Sequence, residues 1–284
     1  PSGSFSFTYI SANFRVPGPC PVGHRCPIGS SYPIPCSVGT YQNVTGQSVC
    51  ADCPAGRYCD ETGISTNTQL ANKQCAAGHY CSGATTVQKP IKTAHSGSSC
   101  SSGKYCPTGT ATEITCPGGY YDKRKGISVC MTCPKGYYCP AGSTEPIVCP
   151  ATMYCIANQA AGTFCPDGTY NTEDGLEESA QCRPCPVGKY CQNGAVVGAC
   201  DSGYWCDSGA DARDDSTKLC PVNHYCESGT AAPVRCESGK INPTTGGSSP
   251  SDCTDCPAGY YCKETDEGTT TICPAGFYCP ARST

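Results

Sequence analysis

The heptad CPAGYYC at 256–262 returns as CPAGFYC at 273–279, CPKGYYC at 133–139, CPAGRYC at 53–59 and CPVGKYC at 185–191. Self-similarity at so short a period makes the chain an array of small repeats rather than a domain around one core. All thirty cysteines obey the scheme. Fifteen open a repeat C-x-x-G-x-Y: Cys20, Cys36, Cys53, Cys75, Cys100, Cys116, Cys133, Cys149, Cys165, Cys185, Cys200, Cys220, Cys236, Cys256 and Cys273. Gly stands at position +3 in thirteen repeats, with Asn223 and Thr152 as the exceptions. An aromatic stands at +5 in thirteen, with Arg25 and Ile241 as the exceptions.

The closing cysteine comes in two versions. In eleven repeats it stands at +6: Cys26, Cys59, Cys81, Cys106, Cys139, Cys155, Cys191, Cys206, Cys226, Cys262 and Cys279. In four it is displaced beyond a turn-rich loop, to Cys50, Cys130, Cys182 and Cys253, and Gln42, Asp122, Asn171 or Asn242 takes the +6 place.

Composition says what must hold such an array together. Val, Leu, Ile and Phe number 32 of 284 residues, about 11%, too few for a conventional core, while cysteine exceeds 10% and the net charge is only −4. That combination is a disulfide scaffold, in which cross-links replace apolar burial. Cysteines at this density persist as disulfides outside the cytosol, so an extracellular or cell-surface location is expected. No apolar run approaches the roughly 18 residues of a membrane span, and the near-neutral charge with scattered Lys and Arg offers nothing to nucleic acid. The chain opens on Pro1 without a Met, and is read as a mature form or a segment of something longer.

The repeat has a local chemical logic. Pro after the opening cysteine pre-sets φ for a turn, and Gly closes it where a positive φ or close approach is needed. Asn223 fits that role, because Asn tolerates the left-handed region. The next residues run extended, so Cys at +6 turns into the repeat while Tyr at +5 faces the next one, where sulfur–aromatic contact is favourable. Two disulfide schemes fit the spacing. Local pairing joins each opener to its own closer. The rival crosses neighbouring short repeats, for example Cys53 to Cys75 and Cys59 to Cys81, but needs them in couples and there are eleven. Local pairing is favoured, and sequence alone does not fix connectivity. The expected fold is a small disulfide-rich repeat array: an elongated rod of fifteen repeats with short β-hairpins and turns, almost no helix, and nearest-neighbour contacts. It is divided as a cysteine-free strand over 1–19 and repeat blocks over 20–99, 100–148, 149–219 and 220–284.

The stretch CSVGTYQNVTGQSVCADCPAGRYC (36–59) resembles the cysteine-rich repeats of ephrin-receptor-like and tumour-necrosis-factor-receptor-like ectodomains, especially versions in large surface proteins of protists. The likeness recurs at 116–139, 165–191 and 236–262. The resemblance implies an elongated rod of disulfide modules with little regular structure and crossed pairing after the first hairpin. The C-x5-C repeats standing outside the six-cysteine grouping depart from it, and no ligand-contact residue carries over.

The remaining features are few. Four C-x-x-C pairs have zinc-like spacing, but each runs into a C-x5-C repeat and reads as disulfide. His24, His79 and His224 share position +4, read as a variable exposed slot, and His95 sits in a Ser-rich loop; no catalytic, cofactor or metal site is assigned. The acidic stretches 207–215 and 173–178 read as solvated loops without calcium-loop spacing. Asn43-Val44-Thr45 is a glycosylation sequon, and O-linked sugar on the Ser/Thr-rich loops is weighed against plain solubilising loop. Residues 4–16 alternate aromatic with small polar residues, placing Phe5, Phe7 and Tyr9 on one face of a strand. That segment packs on its own first repeats, adds to a neighbouring chain or stays disordered.

The expected function is non-enzymatic: an extracellular structural protein, a subunit of a cell-surface or cilium-associated fibre or coat, self-associating head to tail through that strand, with glycans as a further partner. The alternative is a receptor or adhesin stalk with a ligand- or glycan-binding repeat, best placed at the sole tryptophan, Trp205.

Overall fold

The structure, a computed structural model, describes residues 4–10, 14–91, 96–263 and 268–284. It is an array of disulfide-pinned turns in which most strands are two residues long. In each repeat the +3 glycine takes a left-handed φ, between +73° and +89°, so a β-carbon would be strained there. The two exceptions to glycine follow the same backbone: Thr152 has φ +73° and Asn223 φ +60°. In most repeats the next two residues pair antiparallel with the two residues before the following opener. Thr40–Tyr41 pairs with Ala51–Asp52, and Tyr120–Tyr121 with Met131–Thr132.

Every opener is bonded to its own closer, with Cα atoms 5.6 to 6.3 Å apart, inside the normal disulfide range. The crossed arrangement implied by the resemblance is not adopted: Cys53 joins Cys59 and Cys75 joins Cys81.

Successive repeats are joined by main-chain hydrogen bonds. Between the Cys185 and Cys200 repeats, Gly188 N–H donates to Cys206 C=O (2.8 Å) and Cys191 N–H to Ala210 C=O (3.0 Å). In the other direction, Gly209 N–H donates to Cys185 C=O (2.9 Å) and Cys200 N–H to Gly188 C=O (3.1 Å). The Cys53 and Cys75 repeats are joined by the same four, from Gly56 to Cys81, Cys59 to Thr85, Ala84 to Cys53 and Cys75 to Gly56. Contacts also reach further than the expected nearest neighbour. A β-carbon at Gly188 would stand 2.2 Å from Gly229 C=O, and one at Gly56 2.3 Å from Gly109 C=O, each two repeats on. A repeat is only one tight turn thick, so the loop of the next but one closes over it.

The long repeats keep this frame. Their +6 residues are buried polar groups, Gln42, Asp122, Asn171 and Asn242, and their main chain does what a closing cysteine does elsewhere: Gly23 N–H donates to Gln42 C=O and Gly103 N–H to Asp122 C=O. Each side-chain oxygen accepts the N–H two residues on, from Val44, Arg124, Glu173 and Thr244, an Asx-type turn that satisfies a buried polar group. Two long disulfides span 14 residues and two span 17. The longer pair each insert a single 3-10 turn, Ser179–Gln181 and Pro250–Asp252, capped by its own Gln181 or Asp252 side chain.

Apolar packing is local. Tyr41 lies against Cys53, Cys59, Ile64 and Leu70, the last carried by the one short helix among the described residues, α1 (Asn67–Asn72). Ile241, the +5 residue that is not aromatic, is buried against Cys256 and Cys262. In both places the +5 side chain covers the next repeat's disulfide.

The chain forms two compact units: Pro1–Cys133 with Cys139–Ile147 and Asn158–Ala160, and Pro134–Tyr138 with Val148–Ala157 and Ala161–Thr284. In place of one strand over 4–16, the N-terminus holds two, β1 (Ser4–Ile10) and β2 (Phe14–Pro19), antiparallel from Ser4↔Pro19 to Ile10↔Phe14 with an irregularity between Phe5 and Thr8. A lone strand would leave both backbone edges unpaired, and folding back satisfies one within the chain. Residues 1–3 and 11–13 and the side chains of Phe5, Phe7 and Tyr9 lie outside what is described.

Candidate interaction surface

The repeat with openers and closers at Cys273 and Cys279 differs from every other in what covers it. Its +5 residue, Tyr278, is 90% exposed, beside Phe277 at 76% and Ile272 at 71%; the +5 residue of every earlier repeat, Arg25 to Tyr261, is at least half-buried. Cys256 and Cys262 are buried, whereas Cys273 and Cys279 are partly exposed. One repeat back, Gly259 N–H donates to Cys279 C=O (2.8 Å) and Cys262 N–H to Ser283 C=O (3.0 Å). The matching donors on the last repeat, Gly276 N–H and Cys279 N–H, have no partner among the described residues. A β-carbon added at Gly259 or Gly276 would meet nothing within 4 Å. Tyr261, Pro274, Phe277 and Tyr278 line a shallow hollow there.

Trp205 offers less. The Lys218 ammonium lies over its ring, 4.3 Å from the centroid, and bonds Asp207 Oδ2 at 2.6 Å. A cation of the chain itself already occupies a face of the indole.

The acidic stretches are likewise engaged. Asp215 accepts from Thr217 N–H, which holds its carboxyl below the ordinary range; Asp201 faces Arg213 and Glu173 faces Arg183. Among the described residues no group of three or more His, Cys, Asp or Glu is placed to hold a metal. Position +4 is not the exposed slot expected for its histidines: His24, His79 and His224 are half-buried, and the Nδ1 atoms of His24 and His224 contact the carbonyls of Val22 and Val222. The +4 residue belongs to the hairpin that leads into the next repeat, which shields it on one side. His95 lies outside the described residues. Asn43 and Thr45 are exposed at the tip of their hairpin.

Sequence reasoning missed a second left-handed position, three or four residues after the closer or its polar stand-in, in every repeat whose residues there are described. It is a glycine in most, such as Gly63, Gly109, Gly142, Gly209 and Gly229, and Ala84, Asn158 or Arg282 in others. In most repeats its N–H donates to the preceding opener's carbonyl, as from Gly63 to Cys36 and Arg282 to Cys256. The recurring C-x-x-G after the closer was the available signal.

The family model described as tyrosine-protein kinase ephrin type A/B receptor-like matches residues 23–69. The match runs from the first repeat's left-handed glycine, through the Cys36–Cys50 hairpin and the Cys53–Cys59 repeat, into α1. A comparison with curated proteins found no match. The chain thus carries cysteine-rich repeats resembling ephrin-receptor-like domains, and its fifteen disulfides with this likeness indicate an extracellular or cell-surface protein. No helix among the described residues is long and apolar enough to cross a membrane.

Proposed function

We propose that this is an extracellular structural protein, a subunit of a surface fibre or coat whose copies join head to tail. The observation that supports the reading is the uniformity of the array: each repeat is pinned by its own disulfide and joined to its neighbour through the same main-chain hydrogen bonds. Main-chain hydrogen bonds, indifferent to side chains, hold repeat to repeat, and a junction of the same kind can form between copies. A heterologous contact of this kind propagates unless its rotation closes a ring. The stalk alternative is disfavoured by Lys218 on Trp205.

Negative-stain microscopy and sedimentation of the secreted protein test the reading. Concentration-dependent oligomers longer than one chain are expected, and particles that stay single at every concentration would sink it. The same material is expected to carry N-linked sugar on Asn43, read as a mass decrease on N-glycosidase treatment that Asn43→Gln abolishes.

A further inference from the structure

We infer that the Cys116–Cys130 hairpin binds a neutral pyranose sugar beside Tyr121, whatever the way in which copies of the chain assemble. A hollow of about 510 Å³ opens there, lined by apolar Tyr121, Met131 and Pro146 and by charged Lys123, Arg124 and Glu145. That volume lies in the range of small-ligand sites. Tyr121 stands opposite Met131 across the hairpin and pairs in parallel with Ser143 along its other edge, which brings the 143–146 segment alongside. Asp122 N–H donates to Ser143 C=O (3.1 Å), and Ser102 Oγ donates to Lys123 C=O (2.8 Å). Hydrogen bonds to the main chain thus fix the walls before any ligand arrives, which lowers the ordering cost of binding. The other long repeats lack this arrangement: Tyr41 lies against Ile64 and Leu70, Ile241 is buried, and Tyr170 stands opposite Arg183.

The charges select the ligand class. Arg124 forks onto Asp122, so those two cancel. Lys123 Nζ and Glu145 Oε1 stand 3.9 Å apart, on side chains 74% and 70% exposed. The separation is too long for a hydrogen bond, and an exposed pair of this kind holds together weakly. Lys123 only donates and Glu145 only accepts, whereas a sugar hydroxyl does both and satisfies the two at once. A sulfate or carboxylate would suit Lys123 but face Glu145, and an amine would do the reverse. The C–H face of a pyranose ring supplies the apolar surface that Tyr121, Met131 and Pro146 call for.

Saturation-transfer NMR on the full chain tests the assignment, with cellohexaose, chitohexaose and mannohexaose as probes and heparin as the polyanion control. At least one neutral oligosaccharide is expected to bind with a Kd of about 0.1–1 mM, as few contacts allow. Binding is expected to be unchanged between ~50 and ~500 mM salt, since no net charge is neutralised. Tyr121→Ala is expected to weaken it about tenfold, and so is Lys123→Ala with Glu145→Ala. The second variant alters only exposed side chains, so it decides the matter should the first misfold. Tyr170→Ala, at the matching place in another long hairpin, is expected to change nothing. The assignment is overturned if no neutral probe binds, if heparin alone binds, if binding survives the Lys123 and Glu145 substitutions, or if Tyr170→Ala weakens it equally. None of these outcomes bears on head-to-tail assembly.

Discussion

Gly188 and Gly259 hold the same place in their repeats and the same left-handed backbone, φ +73° and +86°, yet a methyl group would meet different things. At Gly188 it would stand 2.2 Å from Gly229 C=O; at Gly259 nothing lies within 4 Å. Gly259→Ala therefore carries only the left-handed penalty, about 1–2 kcal/mol. Gly188→Ala adds a collision with rigid backbone that only a shift of the loop two repeats on relieves. Hydrogen exchange read by mass spectrometry is expected to show faster opening around the Cys185, Cys200 and Cys220 repeats in Gly188→Ala, and a smaller change confined to the Cys256 repeat in Gly259→Ala. Equal effects would mean that close approach adds nothing. The turn role of these glycines was legible, since C-P-x-G sets it within four residues. The collision partner was not. It lies 40 residues away for Gly23 and Gly63 but 48 for Gly78 and Gly126, because loops of unequal length intervene.

Among the elements, the four long hairpins show one backbone solved with different side chains. Sequence identified the substitution of a polar residue for cysteine at +6, but not that the residue would be buried, because only the assembled array places the loop over it. Asp122 is the charged member. Arg124 forks onto it, Nε to Oδ1 at 3.0 Å and Nη2 to Oδ2 at 2.7 Å, while Arg124 N–H donates to Oδ1 at 2.9 Å. The Arg124 side-chain bonds hold the carboxyl below its ordinary value against the opposing effect of burial. A depressed carboxyl contributes stability that is full above its unfolded pKa and is lost as pH falls through the folded one. Asn171 and Asn242 perform the same main-chain capping without charge, so Asp122→Asn is expected to fold and to be modestly less stable than wild type near neutrality. Thermal unfolding followed by near-ultraviolet dichroism is expected to show the gap shrinking as pH drops below about 4, the ordinary carboxylate range. A gap that stays constant down to pH ~2 would show that the Asp122 charge does not contribute to holding the hairpin.

At the scale of the whole molecule, regularity in the sequence foretold a repeat array but not the reach of its contacts or its division into two compact units. Cysteine spacing reports the local staple, whereas neighbour packing depends on loops whose sequences share little beyond glycine. What holds the array follows from its few apolar side chains. Outside the disulfides and Pro90, the large apolar side chains buried among the described residues are Ile64, Leu70, Leu176 and Ile241, and burying one such side chain is worth about 1.5–3 kcal/mol. A main-chain hydrogen bond nets about 1 kcal/mol, no more than the ~1–2 kcal/mol that ordering a single residue costs. Four such bonds per junction do not order a whole repeat. The disulfides close loops that the unfolded chain would otherwise leave open, each contributing about 2–3 kcal/mol in the loop-entropy account. Because repeats lean on neighbours one and two places away, losing one staple loosens several. Full reduction and alkylation are therefore expected to abolish the near-ultraviolet dichroism of the Tyr and Trp205 side chains and leave a disordered chain. Limited reduction is expected to open the Cys273–Cys279 bond before the others, since it alone among the fifteen joins two partly exposed cysteines. Peptide mapping after brief reductant treatment reads the order directly. Interior bonds such as Cys185–Cys191 opening first, or a fully reduced chain that keeps its dichroism, would show that covering by adjacent repeats is not what protects the staples.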